Sequence, residues 1–373
     1  MLPARCSLLV LTLFACGLSR DLSHALADEL PLEENAVEML TPDQARTLVE
    51  QFQGTELILN GLTSLDAATA EAIAAFKGRT LSMASLATLG PDAAKALAGF
   101  KGESLSLHGL TTLHVGTAKA LVKTKAWDCE LMHLTSLDPA TAEVLAESQV
   151  PYLTLGGLTS LNAATAKALA NFKGRGLVFN ALTTLDADAA SALAGYTRGH
   201  ICLVALSTLD VATAETLVGA KAWDGRLPSL TTLDVETARV LAEFKGDCLE
   251  VSGLTTLDAG TAEAIVGAKA WNGDLPHLTT LDAATARALA ESKAWNGRLP
   301  CLTVFDSPDS VAVAKALAAK QGPVSIPNLK CISPKTLSAL LDNDKMDISF
   351  PLVETLQLIP EPDGSSNDDV VIP

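Results

Sequence analysis

Large side chains are scarce in this chain. Aromatic residues make up 4% of 373, with four Trp and two Tyr, although 48% of residues are hydrophobic. A core built so heavily from Leu and Ala is thin and repetitive, because few side chains can fill a deep interior. Positive charge is also short: 27 Lys and Arg stand against 43 Asp and Glu, a net charge of -16. No run of Lys or Arg occurs anywhere, so nucleic-acid binding, which needs a basic face, is excluded. Cysteine is too sparse for a disulfide framework. Beyond residue 27 there are Cys129, Cys202, Cys248, Cys301 and Cys331, an odd number at different points of the sequence pattern. They read as small core residues. Long apolar runs are missing after the N-terminus, so no transmembrane segment is expected.

The N-terminus reads as an export signal. Arg5 precedes the apolar run Cys6 to Leu18, and a more polar stretch ends in Ala25-Leu26-Ala27. Residues 1–27 are therefore expected to be a signal peptide cleaved after Ala27, and 28–36 a linker. A rival lies inside the run: Leu13-Phe14-Ala15-Cys16 resembles a bacterial lipobox, which would put a lipid anchor on Cys16. Phe14 is unusual for that motif, and soluble secretion is the favoured reading.

What the chain does have is a repeat. Leu62, Leu86, Leu110, Leu134, Leu158, Leu182, Leu206, Leu230, Leu254, Leu278 and Leu302 follow one another at 24 residues without an insertion. Degenerate copies near Val37, Leu329 and Leu352 are expected to close the ends of the stack. Within one copy, Leu57 and Leu59 alternate with Ile58 and Asn60, a short half-buried strand. Ala70, Ile73, Ala74 and Lys77 then fall at helical spacing. Asp or Asn at 66, 138, 162, 186, 210, 234, 258 and 282 marks the helix start. Pro91 and Pro139 occupy the first helical position. Lys-Gly at 77–78, 101–102, 173–174 and 245–246 reads as a helix end with a left-handed glycine cap. A helix of about ten residues per copy follows from these limits. The slot of Ala70 is alanine in all ten regular copies through Ala286. These alanines are expected to be buried where helix meets strand. The paired threonines, such as Thr111-Thr112 and Thr279-Thr280, are expected to bond hydroxyl to backbone in turns.

A second pattern concerns bulky residues. Phe76, Phe100, Phe172, Tyr196 and Phe244 close their helices, and the next strand opens with Leu or Ile. Elsewhere that ring is Thr124, Ala220, Ala268 or Ser292. Trp127, Trp223, Trp271 or Trp295 then appears three residues later, followed by Cys129, Gly225, Gly273 or Gly297 at the strand start. Trp with a small residue in place of Phe with Leu conserves volume, so the tryptophans are expected to be core plugs.

The copy resembles leucine-rich repeats, whose general pattern is L-x-x-L-x-L-x-x-N-x-L. Leu227-Pro-Ser-Leu-Thr-Thr-Leu233 and Leu275-Pro-His-Leu-Thr-Thr-Leu281 are similar to the bacterial BspA-like subclass, with one deletion. The asparagine ladder of the general pattern is absent. The resemblance covers residues 37–358. It implies an α/β right-handed solenoid, with parallel strands on one face and short helices on the other. It also implies a secreted or surface-exposed recognition module. The polar stretch 359–373, rich in Pro, Gly, Ser and Asp, is expected from its composition to be a disordered acidic tail.

Chemistry is hard to find. No two histidines stand at ligand spacing on one helix, and H-E-x-x-H, C-x-x-C, EF-hand and G-x-S-x-G patterns are all missing. The row of helix-start carboxylates would attract Ca²⁺ only weakly, since each serves its own helix. No catalytic, cofactor or metal residue is assigned, and the chain is expected not to be an enzyme. What remains is the outward side of the strands. The candidate partner-binding residues are Asn60, His108, Glu130, Asn180, Arg226, Glu250, Asp274 and Arg298. Two functions compete: binding of a protein or surface ligand through that face, or an envelope or matrix element acting by self-association.

Overall fold

A computed structural model gives the fold and describes residues 37–342, 344–347 and 356–361. The expected signal peptide, Cys16, the linker to residue 36, Leu352 and the tail from 362 lie outside the described residues. The chain divides into two compact units, 1–182 with 195–201, and 183–194 with 202–373. The first contains helices α1 (Pro42–Gln51), α2 (Ala67–Ala74), α3 (Pro91–Leu97), α4 (Val115–Leu121), α5 (Pro139–Ala146) and α6 (Ala163–Leu169). Its strands are β1 (Glu56–Ile58), β2 (Thr80–Ser82), β3 (Ser104–Ser106), β4 (Tyr152–Thr154), β5 (Gly176–Val178) and most of β6 (His200–Cys202). The second contains α7 (Ala187–Leu193), α8 (Val211–Gly219), α9 (Val235–Ala242), α10 (Ala259–Gly267), α11 (Ala283–Glu291), α12 (Ser310–Ala318) and α13 (Pro334–Leu341). Its strands are β7 (Val304–Phe305), β8 (Val324–Ser325), β9 (Cys331–Ile332), β10 (Met346–Asp347) and β11 (Gln357–Leu358).

The pairs β1–β2, β2–β3, β4–β5, β7–β9, β9–β11 and β8–β10 are all parallel. In the first unit β1, β2 and β3 align Leu57 with Leu81 and Leu105, and β4 and β5 align Leu153 with Leu177. Partners are thus 24 residues apart, and the alternating leucines of neighbouring copies stack on one side of the strands. All eleven regularly spaced leucines, Leu62 through Leu302, are at most 4% exposed. The ten alanines from Ala70 to Ala286 are 0% exposed. A single methyl at that point lets each helix settle against the layer beneath it, and consecutive helices such as α2 and α3 or α11 and α12 pack side by side.

The helix starts follow the chemistry of their first residues. All eight Asp or Asn caps accept the backbone N–H three residues on, at 2.7–3.0 Å. Each satisfies an orphan donor of the first turn, worth roughly 1 kcal/mol. Gly90 and His114 supply no side-chain bond. The regular helices run 7–9 residues, shorter than the expected ten. The residue third into the helix is a buried threonine in most copies. Its hydroxyl donates to a leucine carbonyl 28 residues back, as Thr117 does to Leu89 at 2.8 Å and Thr285 to Leu257 at 3.2 Å. Thr141 and Thr237 instead bond the caps Asp138 and Asp234, at 2.6 Å. The exposed threonines after the stacked leucine bond backward too: Thr111 to Ala87 O, Thr255 to Thr231 O and Thr279 to Thr255 O. These hydroxyls tie neighbouring copies together across 24 residues, rather than closing local turns.

Two expectations about glycine are corrected. Gly78, Gly102, Gly174 and Gly246 are not left-handed caps; the positive-φ glycines among the described residues are Gly225, Gly273, Gly297 and Gly322. The reason for glycine after lysine is space. A Cβ on Gly78 would lie 2.1 Å from the Phe76 ring and 2.7 Å from Thr55 O, and on Gly102 it would lie 2.2 Å from the Phe100 ring and 2.6 Å from Arg79 O. In these four copies the phenylalanine ring after the helix folds back over the following glycine.

The tryptophans are buried, each 2–4% exposed, but volume exchange does not explain the small residue after them. Trp127 bridges Leu105, and Trp271 bridges Leu249, at an offset of 22 rather than 24. Trp therefore takes the first core position of the strand itself, and the chain spends two extra residues before the next one, Leu131 or Leu275. The bulge closes by a side-chain turn. Asp128, Asp224, Asn272 and Asn296 each accept the N–H two residues on, at 2.9–3.2 Å. The residue inside this turn is left-handed: φ is 54° at Cys129, 78° at Gly225 and Gly273, and 77° at Gly297. That backbone favours glycine, and a Cβ on Gly225 would also meet Cys248 O at 2.1 Å.

Toward the C-terminus the copies loosen. β7 pairs β9 at an offset of 27 and β11 pairs β9 at 26. Glu361 falls in the segment expected as a tail, yet it is 5% exposed. Its carboxylate accepts from the Ser333 hydroxyl and the Lys335 N–H, both at 2.9 Å, at the start of α13. A carboxylate set against the first turn of a helix satisfies donors that the helix itself cannot.

Candidate functional site

The eight residues proposed from the sequence lie on or beside the outward side of the strands, four in each unit, and the structure gives them different surroundings. In the first unit Asn60 is half-buried. Its Oδ1 accepts from Ser82 Oγ at 2.9 Å and from Ala84 N at 3.0 Å, so it serves the contact between copies. Asn180 is exposed.

His108 and Glu130 come together around a residue the sequence reading missed, Asp128. His108 Nε2 lies 3.1 Å from Asp128 Oδ2 and 3.1 Å from Glu130 Oε2. Burial raises the Asp128 carboxyl above the usual carboxylate range, with the neighbouring Glu130 charge adding in the same direction; the Glu130 N–H and His108 pull it the other way. His133 Nδ1 donates to His108 O at 2.9 Å. Next in the chain, Cys129 is 1% exposed, and burial pushes its thiol up to about 12. A thiol so placed is a packing residue and not a nucleophile. The five cysteines within the described residues are all free.

In the second unit Arg226 and Glu250 bridge as parallel neighbours, with guanidinium and carboxylate 4.0 Å apart. Glu250 also accepts from Ser252 Oγ at 3.1 Å. Asp274 accepts from Asn296 Nδ2 at 2.8 Å, and Arg298 is exposed. This face is polar and mixed in sign. In the same unit an open groove of about 460 Å³ is lined by Thr232, Thr256, Asp258, Asp282 and Asp309 among others. Asp258 and Asp282 are occupied there as helix caps.

Sequence spacing could not find the His108 cluster, because its members come from two copies whose offset is broken by the Trp127 bulge. The signal that would have found it is the Trp-Asx-small triplet, which places Asp128 level with the copy before it. No helix within the described residues is long and apolar enough to cross a membrane.

The structure thus defines a mixed α/β repeat protein with short parallel strands and short helices. No family model matches the sequence, and no curated protein does. Among solved structures it is similar to a chain in the Toll–Spatzle complex, a molecular hub in Drosophila development and innate immunity. The identity is 12% and the TM-score 0.35, covering 81% of this chain and 44% of that one, so this chain spans less than half of that protein. A likeness that slight carries nothing about function.

Proposed function

We propose that this chain is a leucine-rich-repeat protein of the BspA-like kind that binds a protein or surface ligand through the outward side of its strands, without catalysing a reaction. Its 24-residue copies form coils of right-handed sense, as parallel strand crossovers almost always do. It works outside the cytoplasm, delivered by the N-terminal signal, with release after Ala27 favoured over lipid attachment at Cys16. The observation that carries the binding reading is the Arg226, Glu250, Asp274 and Arg298 row, four charged side chains on neighbouring copies and partly or fully open to solvent. Charged rows of this kind steer and select partners more than they tighten binding.

Site-specific photo-crosslinking from position 298, compared with position 167 on a helix, tests the reading in cells and culture fluid. Adducts to a foreign protein from 298 and none from 167 are expected. Equal yields from both, or adducts only between copies of this chain, would replace partner binding by non-specific contact or by self-association into a matrix. Mass spectrometry of the secreted N-terminus checks the export route.

A further inference from the structure

The geometry points to a divalent transition-metal site of the zinc class, held by His108 Nε2, Asp128 Oδ2 and Glu130 on the exposed strand side of the first unit. One imidazole nitrogen and two carboxylates converge here, with all three ligand atoms within 4.8 Å of one another. The two contacts from Nε2 are both 3.1 Å. Around an ion with bonds of ~2.1 Å, donors 3.1 Å apart subtend about 95°, between octahedral and tetrahedral angles. The bare arrangement is poor as hydrogen bonding. Nε2 carries at most one proton, yet two carboxylates press on it from the same distance. An ion in their midst serves all three groups and offsets the repulsion between Asp128 and Glu130.

The repeat does not demand this cluster. The same turn occurs at Asp224, Asn272 and Asn296, and the residues twenty places earlier are Val204, Ser252 and Pro276, none of them an imidazole. Only at Asp128 does a histidine stand in that place, with Glu130 two residues on. Asp128 is also held in position: Oδ1 accepts the Glu130 N–H at 3.2 Å, which leaves Oδ2 for the ion. The imidazole selects against Ca²⁺ and Mg²⁺, which prefer all-oxygen sites. Three protein donors leave further coordination positions for water or an incoming ligand.

The test is calorimetric titration of the untagged full chain with Zn²⁺ and Ca²⁺, paired with the absorption spectrum of the Co²⁺ form. Asp128→Asn preserves the turn, since Asn fills the same place at 272 and 296, and Asp224→Asn serves as the matched control. Saturable Zn²⁺ binding is expected, with no Ca²⁺ binding. Asp128→Asn and His108→Gln should each weaken it at least about ten-fold, with Asp224→Asn unchanged. The Co²⁺ form should lack a thiolate charge-transfer band. No saturable binding, equal affinity in Asp128→Asn, or a thiolate band showing capture by cysteine would each overturn the site.

Discussion

At the left-handed turns that follow the tryptophans, the cost of a side chain is set by the backbone and by the carbonyl of the next copy. Gly225 has φ 78°, and a Cβ there would lie 2.1 Å from Cys248 O. Cys129 occupies the equivalent place with φ 54° and carries its side chain into the core. Gly267 closes α10 with nothing within 4 Å of an added Cβ. Gly225→Ala is therefore expected to destabilise the protein by about 1–3 kcal/mol. Gly267→Ala should be neutral or stabilising by up to ~1 kcal/mol, by narrowing the unfolded ensemble. Urea unfolding of the two variants side by side checks this. Equal changes in the two variants would show that neither the left-handed backbone nor the Cys248 carbonyl sets the need for glycine at Gly225.

The helices depend on their caps as elements, because segments of seven to nine residues are too short to persist alone. The backbone N–H of Thr69 chiefly holds the Asp66 carboxyl below its ordinary value. The hydroxyls of Thr141 and Thr237 chiefly do the same for Asp138 and Asp234. A depressed folded-state value means stability present above the unfolded carboxylate value near 4, and lost as pH falls through the lower folded one. Thermal unfolding should fall off below about pH 4. Asp138→Asn, which keeps an acceptor as Asn162 does, should flatten that decline; an unchanged acid profile would contradict the assignment. Caps, stacked leucines and the alanine slot were readable in the sequence because each depends on the residue's own copy and a fixed spacing. Gly78, the Trp127 bulge and the buried threonines were not. The first answers to a ring that folds back over it and to the Thr55 carbonyl of the preceding copy, and the others to carbonyls and strands of the preceding copy. Asp128 was missed for the same reason as the bulge that positions it.

For the molecule as a whole, stability comes from contact between like copies, since no single copy can enclose its own leucines. Within each unit the stacked positions are filled by residues at or near zero exposure, while the polar ladder of threonine hydroxyls links one copy to the next. The functional reading depends on this arrangement, because within each unit it leaves the outward strand residues as the surface that neighbouring copies present. Two alanines two residues apart in α6 test it most directly: Ala166 is 0% exposed and Ala164 is open to solvent. Ala166→Leu forces three extra carbons between packed layers and is expected to cost about 1–3 kcal/mol, while Ala164→Leu should stay within about 0.5 kcal/mol of the parent. The measurement is the urea midpoint of each variant at matched slope. A large drop for Ala166→Leu alone is the predicted result, and equal midpoints for the two would contradict the stacking of copies on which the whole account stands.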